Sequence, residues 1–371
     1  MLSALSARGR SYAGFIQGWK FWQTLGPGAF RLILALAVLL SHMSRVQAGT
    51  TAVMLFFMLS GFWVSRMQDG PHHLTYIKYM LSRLLRIWPL VIVCALIVGV
   101  LLPYFGLRKG GTLLSTILFL GIATRRHDLL GVLWSLDIEL QFYIVLPLIL
   151  YANKRRRVRP VELFVGSALL LLLGCGLESA FNVTTVAIYA PVFAVGLSFY
   201  LFRWRVHGWI AGLSALSMLL GILIESSAAI RNLSWDGKYL LFPHIFIRGG
   251  LINHLIAIIV ALCGAPLVAW NVNQKSGPFD RFLGDLSYPL YLIHFSIFRF
   301  TSLILGIGFK AKLVGLLSSL GVSLALNRFV DKPIEGLRRN QLARDNKKPT
   351  YPVGFDESNV TVGGIQPPAR M

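Results

Sequence analysis

The sequence predicts an all-α, polytopic integral membrane bundle of about ten transmembrane helices, and three observations carry that prediction. The 371 residues are 55% hydrophobic and only 14% charged, with mean hydropathy +0.65, whereas a soluble chain is about 25% charged. Apolar runs recur from near Arg31 to Val330 with short polar breaks, more than one soluble core absorbs. The basic residues fall mostly between the runs, where they orient spans and meet anionic headgroups.

Ten runs approach the ~20 residues that a crossing helix needs. In order they cover residues 32–48, 51–64, 87–104, 132–151, 161–180, 185–202, 209–224, 251–270, 287–305 and 313–330. Residues 112–124 form a weaker stretch, short enough to be re-entrant or interfacial. The first long run starts near Leu32, so a cleaved signal peptide is not expected. The chain then divides into a cytosolic segment (1–30), a membrane domain (31–335) and a polar, proline-punctuated tail (336–371) that reads as disordered.

With the N-terminus in the cytosol, 25 Lys and Arg fall on the cytosolic side and 10 on the outer side. That bias favours both termini inside. The weak point is the 105–130 loop, where Arg108, Lys109, Arg125 and Arg126 sit on the poorer side. The net charge of +21 would suggest nucleic acid in a soluble protein, but no recognition motif accompanies it, and no nucleic-acid partner is expected. Cys94, Cys175 and Cys263 lie singly in apolar runs and read as packing. Walker loops, dinucleotide fingerprints and His-Glu-x-x-His are absent from the sequence, so no metal is expected.

Ionisable groups inside apolar runs are the informative ones, because each costs roughly 2.5–3.5 kcal/mol unless compensated. His42 follows Arg31 by eleven residues, about 16 Å along the same helix. A neutral imidazole at that depth fits a general base toward a hydroxyl, and equally a hydrogen bond between helices. Glu139, in Trp134-Ser-Leu-Asp-Ile-Glu-Leu-Gln-Phe-Tyr143, shares a helix face with Ser135 and Phe142. Its carboxylate suits orienting an imidazole or a structural hydrogen bond, and Ser135 and Tyr143 beside it are further candidates. Arg83 and Arg86, at i and i+3, suit phosphate, or serve as a positive-inside flank. Ser60 and Gly61 read as a close helix approach. His294, in Ser287-Tyr-Pro-Leu-Tyr-Leu-Ile-His294, is another buried ionisable group, and Pro289 should disturb its helix.

These segments taken in order resemble the membrane acyltransferase-3 family over about residues 31–335. The blocks are Arg31 with ten residues before His42, Phe56-Phe-x-Leu-Ser-Gly-Phe62, Arg83-x-x-Arg86 before Trp-Pro, Trp134-Ser-Leu-x-x-Glu-x-Gln-Phe-Tyr143, Leu286-Ser-Tyr-Pro-Leu-Tyr-Leu-Ile-His294 and Asn327-Arg-Phe-Val-Asp-Lys-Pro-Ile-Glu335. Departures at Asp137, Leu140 and Asp331 leave His42 and Glu139 intact. The resemblance implies a ten-helix enzyme of a bacterial cytoplasmic membrane that moves an acyl group, most often acetyl, from cytosolic acyl-CoA to a hydroxyl of an exported or cell-surface saccharide, free or lipid-linked. On that reading Arg83 and Arg86 hold the CoA phosphates and Arg31 closes the cytosolic mouth. His42 is general base or acyl relay, and Glu139 tunes it. The alternative is a proton-coupled transporter or flippase of a lipid-linked saccharide, with His42 and Glu139 as coupling groups.

Overall fold

The computed structural model describes residues 26–69, 74–104, 111–118, 121–125, 127–230 and 249–338. Among these every regular element is helical. The elements are α1 (Pro27–Met43), α2 (Ala48–Gln68), α3 (Tyr76–Tyr104), α4 (Leu113–Leu118), α5 (Ile122–Arg125), α6 (Trp134–Arg156), α7 (Pro160–Phe181), α8 (Val186–Leu201), α9 (Gly208–Ser226), α10 (Gly249–Cys263), α11 (Ala265–Asn271), α12 (Pro278–Leu305) and α13 (Phe309–Leu326). A π turn at Asn327–Asp331 prolongs α13 into a helical stretch that reaches Arg338. The N-terminal segment up to residue 25, the basic loops at 105–110 and 231–248, and the tail from 339 lie outside the described residues.

Among the described residues seven helices are long and apolar enough to cross a bilayer: α2, α3, α6, α7, α9, α12 and the stretch 309–338. The pair α10–α11, bent by 54°, makes an eighth if it is one broken span. The remaining two apolar runs give α1 and α8, of 17 and 16 residues, which extend about 24–26 Å at 1.5 Å per residue against a hydrocarbon core of about 30 Å. Ala35 and Leu39 of α1, and Tyr189 and Val192 of α8, are fully enclosed by protein. In the stretch around 112–124 the described residues form α4 and α5, of six and four residues, each too short to cross.

Two helices start well before their apolar runs. The first turns of α3 are amphipathic: Tyr79, Ser82 and Arg83 turn inward while Ile77 and Lys78 face out, the spacing of a helix with one buried face. Arg83 and Arg86 therefore sit within the helix. α12 begins at Pro278, and Asp280 in its first turn accepts hydrogen bonds from the amides of Gly28 (3.1 Å) and Ala29 (2.8 Å). That carboxylate satisfies amides that the first turn of α1 leaves without partners.

Glycines let two helix pairs touch backbone to backbone. A Cβ on Gly28 would lie 1.8 Å from the Asp280 carbonyl oxygen, and one on Gly196 of α8 would lie 1.9 Å from that of Met58 in α2. Gly61 meets α8 in the same way, at 2.5 Å from the Phe193 carbonyl oxygen, as the Ser60-Gly61 pair predicts. Pro289 does not interrupt α12. It does withdraw the amide that would serve the Asp285 carbonyl, and Asn327 Nδ2 of the π turn donates to that carbonyl instead, at 3.0 Å.

Candidate active site

A cavity of about 190 Å³ opens between α1, α2, α3, α6 and α12, with Arg31, Ser60, Arg83, Arg86, Glu139 and Tyr143 on its walls. Three guanidinium groups and one carboxylate thus share a small apolar chamber. Arg31 lies over the Trp63 ring at 5.6 Å, and Arg66 lies over the same ring at 5.5 Å. Arg83 is 8% exposed, and its Nε has no hydrogen-bond partner. Its one side-chain hydrogen bond runs to the Met67 sulfur, a weak acceptor, and its guanidinium sits 5.9 Å from the Tyr143 ring centre.

Arg86 is differently placed. Its NH1 is 3.7 Å from Glu335, which also takes both arms of Arg338, at 2.7 and 2.8 Å. Arg338 in turn donates to Ser82 Oγ at 3.0 Å. The end of the last helix therefore supplies a carboxylate to Arg86 and none to Arg83. Of the arginine pair, Arg83 is the one without a carboxylate partner among the described residues.

Glu139 accepts from Ser60 Oγ at 2.7 Å and from Tyr143 OH at 2.5 Å. Its small polar neighbour is thus Ser60, across the α2–α6 contact. Ser135 instead shares a 2.6 Å hydrogen bond with Tyr291 OH, and Tyr291 donates to the Val132 carbonyl at 3.0 Å.

His42 does not face this chamber. It stands in the last turn of α1 and opens onto a second cavity of about 470 Å³, shared with Gln47, Asp128, Trp134, Asn253 and His254. Asn253 Nδ2 donates to Thr50 Oγ1 at 3.1 Å, and Tyr189 OH lies 3.3 Å from His254 Nδ1. The His42 ring packs against His294 at 5.3 Å and Phe295 at 5.0 Å between centroids. Gly131 leaves room for Phe295 there: at φ +77° this residue takes a left-handed turn, and a Cβ on it would lie 2.5 Å from the Phe295 ring.

The two cavities are neighbours. Val53 and Tyr291 line both, so the Tyr291 ring, fixed through its hydroxyl, stands between the arginine chamber and the His42 chamber. Arg31, Arg83, Arg86, Ser135, Glu139 and Tyr143 are brought together, whereas His42 and His294 form a separate pair. Sequence reasoning missed Ser60 as a partner of Glu139, and Tyr291, Asn253 and His254 as wall residues. Asn253 and His254 carried a usable signal, since both are polar groups inside an apolar run.

The order of the sequence blocks is matched independently by a family model. Residues 19–328 fit the acyltransferase-3 model, described as an acyltransferase domain. The chain belongs to the acyltransferase-3 family. Comparison with curated proteins and with solved structures gives no match. At family level the protein is a membrane acyltransferase. The match stops before Glu335 and Arg338, so the pairing of Arg86 with the end of the last helix lies partly beyond it. Among the described residues no group of His, Cys, Asp and Glu has the arrangement of a metal site.

Proposed function

We propose that the enzyme transfers a short acyl group, acetyl in the first instance, from cytosolic acyl-CoA to a hydroxyl of an exported or cell-surface saccharide. The observation that carries this reading is the pair of chemically distinct chambers with Tyr291 between them. An anionic thioester donor suits the chamber lined by Arg31, Arg83 and Arg86. A polyhydroxylated acceptor suits the larger chamber, whose walls combine Trp134 and Tyr189 rings with Asn253, Gln47 and Thr50. The donor chamber, at about 190 Å³, has room for a thioester end and a short acyl chain. Its nucleotide would remain toward the cytosol, the side that the Lys and Arg bias favours for both termini, with the bundle (31–335) in a bacterial cytoplasmic membrane.

On this account the acyl end of the donor reaches past Tyr291 to the acceptor, His42 takes the proton of the acceptor hydroxyl, the oxygen attacks the thioester carbon, the C–S bond breaks, and the proton ends on the CoA thiolate. An acyl-histidine relay would use the same nitrogen as nucleophile. Glu139 holds Ser60 and Tyr143 in the donor chamber, a role in binding the thioester end.

The test is transfer from radiolabelled acetyl-CoA by inside-out membrane vesicles. Label should enter a hydroxylamine-sensitive ester on a glycan in vesicles carrying wild type and fall by ~10²-fold or more with His42→Ala. Equal labelling by His42→Ala would overturn the role of His42, and proton-driven glycan movement without CoA would favour a transporter.

A further inference from the structure

The residue that should assist His42 is not the carboxylate that sequence spacing suggests. Glu139 belongs to the other chamber and is engaged there by Ser60 and Tyr143. Asp128 shares the cavity of His42, but its carboxylate accepts from the Gly131 amide and closes the 128–131 turn. The ring that packs on His42 and also carries a polar atom is His294.

His294 is 1% exposed, and its Nδ1 lies 2.8 Å from the Tyr291 carbonyl and 3.1 Å from that of Leu290. Carbonyl oxygens only accept, so Nδ1 carries the proton and Nε2 keeps a lone pair. That Nε2 is buried and has no hydrogen-bond partner. It sits on the side of the ring turned away from its own helix, and the His42 ring is 5.3 Å away, centroid to centroid. A buried acceptor without a donor is costly, and one next to a reactive imidazole has an evident use.

We propose that His294 is a positioning residue for His42: its Nε2 accepts the N–H of His42 that faces it. The opposite nitrogen of His42 then keeps its lone pair toward the acceptor cavity. The pair works as a triad carboxylate works on its histidine, fixing tautomer and orientation, with a neutral acceptor in place of a charged one. For this the His42 ring, 5.3 Å from His294 between centroids and open to the cavity, must turn until its N–H meets that Nε2. As His42 takes the acceptor proton it becomes imidazolium, and the hydrogen bond to His294 strengthens. The proton then leaves with the CoA thiol, so His294 ends unchanged. This inference rests on His42 being the group that handles the acceptor proton.

The experiment reads His42 itself. Detergent-solubilised wild type and the variants His294→Gln, His294→Asn and His294→Leu are treated with diethyl pyrocarbonate, and the rate of carbethoxylation at His42 is followed by peptide mass spectrometry, with acetyl-CoA affinity measured in parallel. Gln places an acceptor near the position of Nε2, Asn is too short, and Leu has none. The expected result is a rate lower by roughly tenfold in Asn and Leu, the size of one hydrogen bond, near wild type in Gln, with acetyl-CoA affinity unchanged in all three. Labelling of His42 in Asn and Leu as fast as in wild type, or faster because the ring is better exposed, would overturn the proposal. Failure of wild type to bind acetyl-CoA would count against the donor reading alone, because the labelling rate does not depend on it.

Discussion

Glu139 illustrates how much a buried carboxylate in a bilayer depends on its immediate donors. Two hydroxyls from two helices converge on one oxygen, and removing either leaves a polar group short of a partner where water is scarce. Ser60→Ala and Tyr143→Phe are each expected to lower stability by about 1–3 kcal/mol, read as a fall in melting midpoint in detergent. Glu139→Gln should cost less, because an amide oxygen still accepts from both. Only part of this arrangement was legible. Glu139, Tyr143 and Arg83 stood out as polar groups in apolar surroundings, but Ser60 did not, since a serine beside a glycine in a membrane helix reads as packing. The two neighbours divide the work: Gly61 takes the close approach to α8, while Ser60 turns its hydroxyl to Glu139 of α6. Glu139 and His42, paired in the sequence reading, line different cavities. Spacing along one helix tells which side chains share a face, but not which cavity that face meets.

At the scale of the elements, apolar length located the helices and amphipathic turns hid their ends. The runs beginning at residues 87 and 287 miss the first eleven residues of α3 and the first nine of α12, where polar and apolar side chains alternate with helical period. Those turns hold Arg83, Arg86 and Asp280, so the missing portions are the ones that line the arginine chamber and anchor α1. The α1–α12 pair is the spine of the site: Asp280 fixes one end, and the His42–His294 ring contact marks the other. Glycine sets the spacing. Gly28→Leu cannot be accommodated by side-chain movement, since the obstacle is the Asp280 carbonyl at 1.8 Å. Its loss of stability should reach about 3 kcal/mol and be accompanied by loss of transfer activity, whereas Gly166→Leu on α7, where a Cβ meets nothing within 4 Å, should leave both unchanged. Melting midpoints of the two variants make the comparison.

For the molecule as a whole, the asymmetry of basic residues and the proposed roles of the two chambers combine in one expectation about direction: donor side inward, acceptor side outward. Lys154, at the end of α6 with an ion pair to Asp69 at 3.0 Å, and Lys310, in the first turn of α13, stand on opposite sides in the orientation that the charge bias favours. A single cysteine at 154 should react with a membrane-impermeant maleimide only from the cytosolic face, and one at 310 only from the outer face. The reverse pattern would invert the roles of the chambers. An expected orientation was legible from charge alone, because the positive-inside bias is additive over loops. The partition into two chambers was not, because it depends on Tyr291 of α12, Ser135 of α6 and Val53 of α2 meeting at one level of the bundle.

The central claim, that donor binding and acceptor activation belong to separate chambers, is tested most directly by acetyl-CoA affinity in three proteins: wild type, Arg83→Ala and His42→Ala. Loss of one charge-assisted contact should weaken binding by roughly 10- to 100-fold in Arg83→Ala, while His42→Ala binds as wild type does. Equal weakening by His42→Ala, or undiminished binding by Arg83→Ala, would contradict the account.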